Sequence, residues 1–187
     1  MRPEAADLFR EIVNIGASQS SGALATRVGK PVRITVPMLR EMELREAAGI
    51  FGPPTDPVEA VLILTEGTFQ AGLLLALPED DGRRLRLSLG MDADDATGLE
   101  KPLVDVLQSF VDASAMFLMA DLKAETTQYL RDMAGSLVPS LLAELGYDVE
   151  QLWLVEVDFV TEETSILGRL FFLAGSDFYR LIDEMAG

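Results

Sequence analysis

Residues 3–37 read PEAADLFREIVNIGASQSSGALATRVGKPVRITVP, and two different periods meet in this stretch. From Pro3 to Val28 the apolar Leu8, Phe9, Ile12, Val13 and Ile15 spread over a wide helical arc, while Gly16, Ala17, Gly22 and Ala23 admit close packing against a neighbour. Such a helix is mostly buried. It should end near Gly29, and Pro31-Val-Arg-Ile-Thr-Val-Pro37 then alternates β-branched residues, as a half-buried strand bounded by prolines does.

Beyond this unit, Met38 to Pro57, with Gly49, Gly52 and the Pro53-Pro54 pair, reads as an irregular connection. Two strands follow, Ala60 to Thr65 and Phe69 to Leu77, joined through Glu66-Gly67-Thr68 and leading into a short helix from Pro78 to Leu89. The same order returns near the C-terminus: Leu152 to Phe159, a turn through Thr161 to Thr164, Ile166 to Leu173, and a helix from Ser176 to Met185. Placing Gly72 on Gly168 sets Leu74 to Leu77 over Leu170 to Leu173, and Asp81, Arg84 and Leu85 over Asp177, Arg180 and Leu181. An internal duplication is the simplest account, giving one domain with halves of about 1–90 and 99–187 and an acidic linker from Gly90 to Gly98. Residues 99 to 124 and 127 to 146 read as two helices, the second opening near Thr126 or Thr127, and Pro139 predicts a kink or break in it.

Composition narrows the chemistry. With 187 residues, 49% of them hydrophobic, the chain can bury a core without staples. It has neither cysteine nor histidine, which excludes thiol catalysis, a Ser-His-Asp triad and zinc sites with the usual ligands. Hydrolytic chemistry would have to use carboxylates, amides or a partner's groups, and no metal site of its own is expected. Acidic residues outnumber basic ones 31 to 15, for a formal charge of −16, which disfavours nucleic acid and anionic lipid and suits a partner with exposed lysine or arginine. The opening Met1-Arg2-Pro3-Glu4 precedes no apolar signal region, and no run reaches the length of a membrane span, so the expected location is the cytoplasm.

On the first helix Asp7, Glu11, Asn14, Ser18 and Ser21 fall at i, i+4, i+7, i+11 and i+14, one narrow polar stripe opposite the apolar arc. An ordinary solvated face gives the same spacing. The longer pattern says more. Asp7, Glu11 and Asn14, followed after a long interval by Pro37, resemble the signature of the CheC, CheX and FliY phosphatases, and Glu11-Ile-Val-Asn-Ile-Gly-Ala17 is similar to that family's Glu-Ile-Gly-Asn-Ile-Gly-Ala. Asp132-Met-Ala-Gly135 followed by Leu141-Leu-Ala-Glu-Leu-Gly146 is similar to the family's second-half helix, so the resemblance spans nearly the whole chain, closest to CheC.

The fold then expected, from pattern and resemblance together, is an α/β domain of pseudo-twofold form, with a central, mainly antiparallel sheet and long helices packed on one side. The resemblance also implies hydrolysis of aspartyl phosphate on a CheY-like response regulator. That partner carries the phosphoryl group beside its own Mg²⁺ and a lysine, so no cofactor is expected in this chain. Asn14 would orient the attacking water, a neutral amide adding no charge beside the phosphoryl group, and Glu11 would pair with the regulator's lysine. Asp7 and Pro37 have supporting roles, at the helix start and in the adjoining loop. Three alternatives involve binding without catalysis: an adaptor for the phosphorylated receiver, a partner of a CheD-like deamidase, or a component like the flagellar switch proteins.

Advancing 98 residues sets Asp105, Ser109 and Asp112 in the places of Asp7, Glu11 and Asn14. Only the aspartate is kept, so the second site is degenerate: a carboxylate in place of the amide repels phosphate, and a serine makes no salt bridge. The same stripe continues to Met116 and Met119. These are either a contact surface, for example toward a second copy in a homodimer, or core.

Overall fold

A computed structural model describes residues 1–43, 46, 49–146, 151–162 and 168–187. Helix α1 runs over Pro3–Val28 and stops where Gly29 turns left-handed at φ 68°, its amide donating to the Ala25 carbonyl. Short strands β1 (Arg33–Ile34) and β2 (Met38–Glu43) precede the long hairpin β3 (Pro57–Gly67) and β4 (Ala71–Pro78), and α2 (Glu79–Ser88) follows. The second half comprises α3 (Glu100–Leu118), β5 (Leu122–Met133), α4 (Ala134–Leu145), β6 (Gln151–Val160), β7 (Gly168–Ala174) and α5 (Ser176–Met185).

The seven strands form one sheet in the order β1–β6–β7–β4–β3–β5, with β2 also on β6, and every pairing is antiparallel. The architecture is therefore a mixed α and β domain around an antiparallel sheet, as the sequence implied. The central pair joins β4 of one half to β7 of the other, and each half adds its outer strand to the opposite half: β2 flanks β6, and β5 flanks β3. Strands β3, β4 and β7 are apolar without alternation because both sheet faces are covered.

One face, through Val61, Ile63, Leu73, Val157 and Phe172, packs on the four helices α1, α2, α3 and α5. The other, through Leu62, Leu74, Leu154 and Phe171, packs on Leu137, Val138, Leu141 and Leu142 of α4 and on Phe51. The two long helices, α1 and α3, thus share one side, as expected, and the shorter α4 covers the other.

Four expectations change. The strand foreseen over Pro31–Pro37 is confined to Arg33–Ile34, and pairing resumes at Met38 within the supposed irregular segment. The two partners, Ile34 on Phe159 and Met38 on Glu156, leave one extra residue in the first chain, so Thr35 to Pro37 form a bulge. Thr35 spans it, its amide donating to the Asp158 carbonyl and its hydroxyl accepting from the Asp158 amide, both at 3.0 Å.

The two helices read over 99–124 and 127–146 become helix, edge strand and helix, since α3 ends at Leu118 and β5 occupies Leu122–Met133. The helix α4 runs through Pro139 without a break; its ring lies on the exposed side, away from the apolar Leu137, Leu141 and Leu142. The expected C-terminal turn through Thr164 and the start of the strand at Ile166 lie outside the described residues.

Among the described residues Glu59 and Arg86 are the most deeply placed charges, 1% and 0% exposed. Arg86 binds the Glu59 carboxylate through both terminal nitrogens, at 2.5 and 2.7 Å, and donates from Nε to the Ala93 carbonyl at 2.7 Å. Tyr129 donates to the same carboxylate at 2.6 Å. The cluster thus ties β3, α2, β5 and the acidic linker together.

Candidate functional site

Helix α1 is fastened to the core from one side by Phe9, Ile12, Val13 and Ala17, all fully buried. Phe9 makes edge-on contacts with Phe172 at 5.5 Å and Phe178 at 4.8 Å, pairs worth about 0.5–1.5 kcal/mol each beyond area burial. Its opposite side carries the polar stripe. Asp7, Glu11 and Ser18 are exposed and Asn14 is half-buried.

Ser21 departs from expectation: it is buried, and its hydroxyl donates to the Val32 carbonyl at 2.5 Å. The reason is helical geometry. A seven-residue spacing falls about 20° short of two turns, so from Asp7 through Asn14 to Ser21 the stripe rotates about 40° toward the core. Pro37 is also buried, in the bulge next to Val36, which is 81% exposed.

Asp7 pairs with Arg10 at 2.7 Å. Among the described residues, neither Glu11 nor Asn14 has a hydrogen bond or ion pair with another side chain or backbone group of the chain. Both project from a rigid helix with their polar groups uncommitted. The corresponding positions on α3 are occupied. Asp105 is clamped between Arg27 and Lys101, Ser109 donates to the Asp105 carbonyl at 2.9 Å, and Asp112 accepts from Gln108 at 2.8 Å.

Helices α1 and α3 lie side by side and antiparallel. Gly16 sits against Phe110, and Ser20 donates to the Val106 carbonyl at 2.8 Å, so the contact numbers rise on one helix as they fall on the other. A Cβ on Gly16 would stand 2.6 Å from the Phe110 ring, inside any normal contact. Gly16→Ala is therefore expected to destabilise by roughly 1–2 kcal/mol in urea unfolding, because overpacking outweighs the ~1 kcal/mol by which alanine is the better helix former.

Met116 and Met119 are 81% and 91% exposed, which decides between surface and core: they are surface. Phe117, 38% exposed, extends the same patch. Phe117 lies off the stripe that helical spacing defines, and its signal in the sequence is the consecutive apolar run Met116-Phe-Leu-Met119. Among the described residues no group of three or more acidic side chains is placed to hold a metal ion, and no helix is long and apolar enough to cross a membrane.

No family model matches the chain. The fold is the one seen in solved FliY and CheX structures, and the chain is similar to a CheC protein along nearly its whole length. It is 23% identical over 95% of its length to the CheY-P phosphatase CheC of Bacillus subtilis (strain 168), covering 91% of that protein. Among solved structures, Thermotoga maritima FliY superposes with a TM-score of 0.70 at 15% identity, over 98% of this chain and 96% of that one. The FliM middle domain from H. pylori superposes with a TM-score of 0.65 at 10% identity, over 99% of this chain and 100% of that one.

Proposed function

We propose that the chain is a phosphatase for the aspartyl phosphate of a CheY-like receiver, with Asn14 as the water-orienting residue and Glu11 as the docking carboxylate. The observation that carries this reading is the contrast between the two halves: Glu11 and Asn14 are uncommitted, whereas Asp105, Ser109 and Asp112 are tied up within the chain. The likeness to CheC supports it.

The receiver supplies the electrophile, a Mg²⁺ ion and a lysine, so the phosphatase needs to supply only position. Glu11 pairs with that lysine and sets the helix in register. Asn14, one turn on, accepts from or donates to a water held in line with the phosphorus–oxygen bond. The water oxygen bonds to phosphorus as the bond to the aspartate oxygen breaks; the carboxylate leaves as an anion and the water's protons end on inorganic phosphate. Asp7, paired with Arg10, shapes the helix start, and Pro37 fixes the bulge in the strand after it.

A second reading, favoured by the FliM and FliY superpositions, is a switch-like or adaptor component that binds a chemotaxis protein without catalysis. Decay of radiolabelled phosphoreceiver with and without the chain separates the two. Faster decay that is lost in Glu11→Ala and Asn14→Ala is expected; a stable complex with unchanged decay would overturn the enzymatic reading in favour of the adaptor.

A further inference from the structure

We propose that Met116, Phe117 and Met119 form an apolar anchor for the receiver itself, laid alongside the catalytic stripe; this rests on the receiver-directed reading above. The antiparallel register fixed by Gly16 on Phe110 and Ser20 on Val106 places Asn14 level with Asp112, and Arg10 and Asp7 level with Met116 and Met119. The methionines therefore continue the exposed face that carries Asp7, Glu11 and Asn14, on the side of Asp7.

Met119 strengthens the case. It closes α3 in the left-handed conformation, at φ 50°, with its side chain 91% exposed. Glycine or asparagine serves a left-handed helix cap at lower strain, and an apolar side chain in water at such a position gains nothing for the fold. Exposed apolar patches rimmed by polar groups mark binding surfaces, and methionine adapts its shape to a partner.

Charge selects the occupant. Asp7 and Asp121 at the rim have their own cations, Arg10 and Lys123, but among the described residues Glu11 and Asp112 have none. A second copy laid on this face would oppose those carboxylates. A receiver offering a lysine beside an apolar surface complements them, and an anchor at this distance from Asn14 would supply affinity without touching the reacting atoms.

The test is titration calorimetry with a purified CheY receiver loaded with Mg²⁺ and beryllofluoride, so that binding is read apart from hydrolysis. Met116→Gln with Met119→Gln should weaken Kd by about tenfold or more. Met119→Gly should raise Tm, by relieving the left-handed backbone, yet weaken binding; a structural role alone would move both in one direction. Weakened binding by the double variant supports the anchor whether or not the wild-type chain speeds phosphoreceiver decay, so failure of catalysis and failure of docking stay distinguishable. Three results would overturn the anchor: affinity unchanged in the double variant, no receiver binding by the wild-type chain, or a wild-type dimer in sedimentation that the double variant dissociates.

Discussion

Replacing Asn14 with alanine is expected to return phosphoreceiver decay to its unassisted rate, removing a stimulated component by about 100-fold or more. The loss should come without a cost in stability. The Asn14 amide makes no hydrogen bond among the described residues, and alanine is the better helix former by up to ~0.7 kcal/mol, so Tm should hold or rise slightly. An effect confined to turnover, with Kd for the beryllofluoride-loaded receiver preserved, identifies a residue whose contribution is made in the transition state.

Asn14→Asp sharpens the test, since it keeps the shape but removes two donors and adds a negative charge where the phosphoryl group must approach. It should be as inactive as alanine. If either variant retained the wild-type rate, the water would have to be held by another group, and nothing else on the exposed stripe is as well suited: Ser18 lies a further turn along and Ser21 is turned into the core.

Much of this arrangement is written in local sequence. The long buried helix follows from the arc of Phe9, Ile12 and Val13 with Gly29 behind it, and the central strands follow from apolar runs such as Leu73 to Leu77. The candidate stripe is equally local, because helical spacing alone brings Asp7, Glu11 and Asn14 to one side.

The errors fall where partners distant in sequence decide. Residues 122–133 contain helix-tolerant Lys123, Glu125, Leu130 and Arg131, yet they extend because β3 offers a free edge for Thr126, Thr127 and Tyr129 to pair against. Met38–Glu43 looks too charged for a strand, but it is an edge, and Arg40 meets Glu156 across the sheet at 3.1 Å. That Asp105 is disarmed by Arg27 could not be read from either helix by itself, because the pair exists only once α1 and α3 have docked.

The buried Glu59–Arg86 pair is the other such case, and its disruption should give the largest stability effect in the molecule. Arg86→Met removes the nearer of two cations, leaving Glu59 sealed between Tyr129 and Gly82, where a Cβ on the glycine would already lie 3.0 Å from the carboxylate, with only the half-exposed Arg131 at 3.5 Å to offset it. The poorly compensated charge should cost up to about 3–5 kcal/mol. In a chain of this size that lowers Tm by roughly 6–20 °C, measurable by calorimetry or as a fall in the urea midpoint.

Adding Glu59→Gln should recover a large part of the loss, because it removes the charge and keeps an acceptor for the Tyr129 hydroxyl. Recovery in the double variant would show that a poorly compensated charge, not lost packing, causes the damage. Failure to recover would place the damage in the packing of the arginine stem and its bond to Ala93.

The same pair sets an acid limit. Burial by itself would raise the Glu59 pKa, but hydrogen bonds from Arg86 and Tyr129 and the charges of Arg86 and Arg131 outweigh it and hold the group below its ordinary 4.5. A carboxyl with a depressed folded-state pKa contributes stability that is present above the unfolded value and is lost as pH falls through the folded one. The wild-type chain should therefore lose stability as pH drops below 4.5, and Glu59→Gln with Arg86→Met should show a flatter decline over the same window. Parallel declines for the two proteins would mean that other carboxylates set the acid limit and that this pair contributes little to it.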